Sequence, residues 1–117
     1  MTAYRFDWQT APLTENDRLH WQAKRRIVKD VRLAGKLATR QMGPQRRVEV
    51  TLVWVVKDKR KRDEDNIVPT LKALCDGIVD AGVVPDDTPV YMIKHMPIIR
   101  FEPKAVPHFE LEVTPLA

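Results

Sequence analysis

The alternation of apolar and polar positions predicts six elements in the order strand, helix, strand, helix, strand, strand. Tyr4 to Trp8 sets Tyr4, Phe6 and Trp8 against Arg5 and Asp7, the two-residue period of a short strand. A turn-rich stretch from Ala11 to Asp17 leads into a helix expected from Asp17 or Arg18 to Thr39. At 100° per residue, Leu19, Ala23, Ile27, Val31, Ala34 and Ala38 gather on one side of it. Arg25, Lys29, Arg32, Lys36 and Arg40 fall in an opposing stripe about 80° wide, so one face packs and the other is a basic rail. Gly43-Pro44 ends the element.

Arg47 to Val56 is β-branched and apolar on both faces toward its end, which places it centrally in a sheet. A second helix is expected from Asn66 to Ala81, with Pro69 in its first turn and Gly82 just past its end. Ile67, Leu71, Leu74, Cys75 and Ile78 form its buried stripe. Pro85 to Pro89 is a turn, and Val90 to Arg100 and His108 to Thr114 alternate as strands on either side of a proline-bearing loop. The pattern is that of an α+β fold: a mixed sheet with two main helices, in one domain over residues 1–117.

Length and composition narrow the class. A chain of 117 residues with 44% apolar content can bury a core, and its longest apolar run, Leu52 to Val56, is far too short to span a membrane. One cysteine, Cys75, and three scattered histidines, His20, His95 and His108, give neither a disulfide framework nor a zinc site. A soluble, cytoplasmic protein is expected.

Charge then changes the picture. Between Lys24 and Arg62 lie fourteen Lys or Arg against three acids, whereas the rest of the chain has six against thirteen. A net charge of only +4 therefore hides a strongly polarised molecule, expected to offer one electropositive face to a polyanion. The helix rail (Arg25, Lys29, Arg32, Lys36) and the run Lys57, Lys59, Arg60, Lys61 and Arg62 are the candidate phosphate grips. Trp8, Trp21 and Trp54 could serve as stacking platforms for bases, but core packing is the expectation for all three.

The candidate chemistry is carboxylate chemistry. Asp63 and Asp65 are two apart after a strand and before a helix, so in extended backbone both face one point while Glu64 faces away. A hard divalent cation relieves their repulsion; as an alternative, Asp65 caps the helix and Asp63 pairs with Arg62. Asp86-Asp87 is a second acidic cluster or a plain turn, and Lys72 is a phosphate-facing cation or half of a surface pair with Asp76.

Taken together, these residues resemble a known family. Arg62-Asp63-Glu64-Asp65-Asn66, the helical run Leu71 to Gly82 with Lys72, Asp76 and the Ala81-Gly82 stop, and Asp86-Asp87 are similar to the motif of the RusA family of Holliday-junction resolvases. Pro12-Leu13-Thr14-Glu15-Asn16 is similar to that family's opening before its first helix. In one form of that family's motif two residues separate the Asp-Asn pair from the lysine; here five do, Ile67 to Leu71, so that an insertion of three residues restores the match. The resemblance implies a Mg²⁺-dependent endonuclease acting as a homodimer on branched DNA (four-way junctions), in recombination and repair. It assigns Asp63, Asp65 and Asp87 to the metal and Lys72 to catalysis, and implies a nucleoid-associated location. The three carboxylates are expected to converge. A non-catalytic nucleic-acid-binding protein, with the acids as caps and turns, is the alternative.

Overall fold

A computed structural model describes all residues, Met1–Ala117. Five strands form one mixed sheet: β1 (Thr2–Phe6), β2 (Arg47–Val56), β3 (Met92–Lys94), β4 (Ile98–Phe101) and β5 (His108–Leu116). Two helices, α1 (Trp21–Thr39) and α2 (Val68–Asp80), complete the α+β fold. As its composition requires, β2 is central. It pairs antiparallel with β5, from Arg47 opposite Leu116 to Val55 opposite His108, and β1 closes the far edge of β5. On its other side β2 runs parallel to β3 along its first half and to β4 along its second.

The helices lie on one face of this sheet. Val48, Val50 and Leu52 of β2, Phe109, Leu111 and Val113 of β5, and Met92 of β3 meet Ile67, Leu71, Leu74, Cys75 and Ile78 in one buried cluster. The predicted α2 stripe is therefore the core. Burial among these side chains pushes the Cys75 thiol up to about 12, which makes it an inert packing group. α1 lies against α2 and is pressed close to it. A β-carbon on Gly77 would stand 2.2 Å from the Arg32 carbonyl oxygen, and one on Gly35 would stand 2.7 Å from that of Leu74. No helix is long and apolar enough to cross a membrane.

Four local readings change, the first being the α1 stripe: the helix buries Val31, Gly35 and Thr39, whereas Leu19 lies exposed before the helix and Ala23, Ile27, Ala34 and Ala38 are only half-buried. α1 starts at Trp21 rather than Asp17, because the Asp17 carboxylate is used one turn earlier. It accepts from both the backbone N–H and the hydroxyl of Thr14, closing a single turn that does not propagate. Val90 to Arg100 is not one strand. From Lys94 (opposite Val50) to Ile98 (opposite Val53) the chain takes four steps while β2 takes three. The extra residue is a bulge at His95–Pro97, where Pro97 has no N–H to pair. One inserted residue reverses the faces. Lys94 thereby joins Val50 and the helix side, and Ile98 and Arg100 join Val53 and Val55 on the side away from the helices, where Val53 and Val55 are nonetheless buried. Finally, Trp21 is 58% exposed, against the expected core packing, because it opens α1 beyond the reach of α2.

Candidate nucleic-acid and metal site

The site is assembled around the two ends of the β2–α2 connection. As β2 ends, Trp54 stacks on Phe109 (centroids 5.4 Å apart), and Trp8 meets the same Phe109 edge-on and stacks on Phe6. The Arg62 guanidinium covers the exposed side of Trp54 at 5.1 Å and pairs with Asp58 at 2.8 Å. Its side chain is only 16% exposed. Arg62 is thus a brace rather than a free phosphate grip, and it fixes the backbone immediately before Asp63. Lys59 lies over Phe101, while Lys57, Arg60 and Lys61 are exposed.

The other support comes from the N-terminal loop. Thr70, fully buried in the first turn of α2, donates its hydroxyl to the Leu13 carbonyl at 2.7 Å and accepts from the Leu13 N–H. Glu15 donates its N–H to the Asn66 carbonyl at 3.0 Å. The Pro12 to Asn16 segment therefore latches the start of α2. A contact across 57 residues has no local signature in the sequence.

Between these supports a single 3₁₀ turn, Glu64–Ile67, precedes α2. Asp63 and Asp65 are exposed, make no capping hydrogen bond and belong to no ion pair. The capping alternative is therefore not what the backbone adopts: Ile67 occupies the N-cap position of α2. Beside Asp65, the side-chain oxygen of Asn66 is buried without a partner. Two uncommitted carboxylates and an orphaned amide oxygen are hard donors of the kind a small divalent cation takes. By the chemistry of its donors the group fits Mg²⁺.

Asp87 reaches the same helix from the far end. β2 and β3 are parallel, so a direct crossover would leave Asp87 at the opposite end of the sheet from Asp65. Gly82, at φ +79°, turns the chain after α2, and the Asp87 carboxylate comes back as far as the reach of the Lys72 side chain. The Asp87 carboxylate meets the Lys72 ammonium at 3.6 Å and that of Lys94 at 3.1 Å, and Lys72 also stands 4.0 Å from Asp76. The hydrogen bond from Lys94, reinforced by the charges of Lys94 and Lys72 against a smaller opposing effect of burial, holds the Asp87 carboxyl below its ordinary value.

The structure brings Asp87 and Lys72 together and leaves Asp63 and Asp65 at the head of the helix, Asp65 seven residues or roughly 12 Å of helical rise from Lys72 and Asp63 two residues further. As the side chains stand, no three acidic, histidine or cysteine groups lie close enough to share one ion. Lys94 is the member that sequence reading missed. Its signal was present in the alternation with Met92, but only the bulge decides which face it takes. A cavity of about 240 Å³ opens between α2 and that bulge, with Lys72, Lys94 and His95 among its polar walls and Val68, Leu71 and Met96 among its apolar ones.

The basic rail of α1 is solvent-facing as expected: Arg25, Lys29, Lys36 and Arg40 are exposed. Arg32 is exposed too but paired with Asp80, which holds its guanidinium firmly charged and ties α1 to the end of α2. No protein-family model matches this chain, and no curated protein is significantly similar to it.

Proposed function

We propose that this chain is a Mg²⁺-dependent, structure-selective endodeoxyribonuclease that resolves four-way DNA junctions as a homodimer, in recombination and repair. The observation that carries the reading is the returning loop. It sets Asp87 against Lys72 on the helix whose head presents Asp63 and Asp65 without partners. In this reading Asp63, Asp65 and Asp87 would hold the metal once the carboxylates are drawn together from their present separation, and its chemistry when bound would be to polarise the phosphate and lower the pKa of a water.

The chain's own residues do the rest. Lys72, 66% exposed beside the cavity, exchanges its long contact with Asp87 for a phosphoryl oxygen and offsets the charge that develops there. Lys94 stays with Asp87 and orients it. Lys57, Arg60 and Lys61 on one side and the α1 rail on the other hold the backbone without reading sequence. The latch at Thr70 and the brace at Arg62 keep the head of α2 in place while DNA is held.

A synthetic junction incubated with Mg²⁺ or with EDTA tests the reading: paired nicks with the metal and none with the chelator are expected. The non-catalytic alternative is favoured by the separation of the three acids and predicts binding in both tubes with cleavage in neither. Lys72→Ala should slow cleavage about ten- to a hundredfold with little change in affinity, as loss of one transition-state charge contact does. An unchanged rate returns Lys72 to a surface pair with Asp76.

Two opposed strands must be nicked, and two sites related by a two-fold axis meet that demand. Trp54 is covered by Phe109 and Arg62, so it supplies no dimer surface. Among the apolar groups left exposed, Ile98 and Phe101 on β4, an edge strand, and Val106 in the loop that follows lie together in sequence, and Leu33 and Leu37 form a second exposed pair on α1. Light scattering at micromolar concentration should give twice the 13.6 kDa chain mass, and a monomer that still makes paired nicks would refute the dimer.

A further inference from the structure

A lone exposed tryptophan is ordinary, but the surroundings of Trp21 are not. It is the first residue of α1, and at 100° per residue it lies within about 20° of Arg32 and 40° of Arg25, on the basic rail itself. The Arg25 guanidinium sits 5.7 Å from its ring centroid, and the His20 ring lies 5.7 Å away, tilted by 31°. Trp21, Lys24, Arg25, Val28, Lys29 and Arg32 line one open trough along the helix.

The charge in this trough does not serve the fold. Lys24, Arg25 and Lys29 in the trough, and Arg26 in the shallower one on the other side of Arg25, have no acidic partner; Arg32 alone, at the far end, is paired, with Asp80. The first turn of α1 holds no acid, and cations this close to a helix N-terminus oppose its dipole. Four uncompensated cations complement a polyanion. The ring adds a selection, since a base can stack on indole only when its face is not already covered by its neighbours in a duplex.

We propose that the N-terminal half of α1 binds an unpaired stretch of DNA strand, with Trp21 as the base platform and Lys24, Arg25, Arg26 and Lys29 as its phosphate grip. The site rests on DNA being the partner, as in the function proposed above, but not on cleavage.

The test is a titration of the full-length protein in EDTA, followed by tryptophan fluorescence, with oligothymidylate and with a duplex of equal length. Oligothymidylate should quench the emission, with Trp8 and Trp54 held in the aromatic stack as an unchanging background. Trp21→Ala should weaken oligothymidylate about tenfold and leave duplex affinity nearly as it was, and Trp21→Phe should restore most of the loss. Arg25→Ala with Lys29→Ala should weaken both DNAs and flatten their salt dependence. Wild-type affinity of Trp21→Ala for oligothymidylate, equal losses on both DNAs, or a wild-type protein that binds neither would overturn the proposal. Because the assay contains no Mg²⁺, failure to nick junctions leaves its outcome untouched, and the reverse also holds.

Discussion

Asp65→Asn is expected to lower Mg²⁺-dependent cleavage by about three orders of magnitude or more while leaving junction binding in EDTA equal or tighter. Asp65 is exposed, caps nothing and pairs with nothing, so the change removes one negative charge and no packing. Loss of a hard oxygen donor removes several kcal/mol of charge stabilisation at the scissile phosphate, and each ~1.4 kcal/mol is tenfold in rate. Removing a carboxylate beside a bound polyanion reduces repulsion, which is why affinity should hold or rise. Glu64→Gln is the internal control, a neighbouring exposed acid that the proposed site does not use. Cleavage within tenfold of wild type, or binding lost together with cleavage in a folded protein, would remove Asp65 from the site.

Much of the framework was legible because it is locally encoded. β2 occupies Arg47–Val56 as its β-branched run predicts, and the α2 stripe from Ile67 to Ile78 is buried throughout. Gly82 takes the positive φ that its place after a helix calls for. What was not legible depends on contacts distant in sequence or on a single inserted residue. The latch between Leu13 and Thr70 carries no periodic signal. The bulge at His95–Pro97 obeys a two-residue alternation on each side and breaks it only between. The candidate site divides in the same way. The acids and Lys72 stand out by spacing, whereas Arg62 as a brace and Lys94 as the partner of Asp87 follow from the sheet's faces, which sequence spacing leaves open.

The helix pair gives the largest expected effect on stability. By propensity alone, Gly77→Ala in the interior of α2 should stabilise the protein by up to ~1 kcal/mol. Packing reverses the sign. The new β-carbon would stand 2.2 Å from the Arg32 carbonyl oxygen, 2.7 Å from the Lys36 nitrogen and 3.0 Å from the Gly35 carbonyl carbon, all backbone atoms that no side-chain rotation can move aside. α1 and α2 must separate, which opens the contact around Val31 and Leu74 and loosens the Arg32–Asp80 tie. We expect a net loss of about 3 kcal/mol, at the upper end of overpacking costs, and a Tm lower by roughly 10–15 °C for a chain of this size. Gly35→Ala meets the Leu74 carbonyl oxygen at 2.7 Å from the other side of the same crossing. The two substitutions should therefore not add: once one has separated the helices, the second finds the space already open. Calorimetry of the two single variants and the double variant checks this. A Tm for Gly77→Ala at or above wild type would mean that the helices do not approach so closely. Strictly additive losses would mean that the two glycines relieve separate contacts.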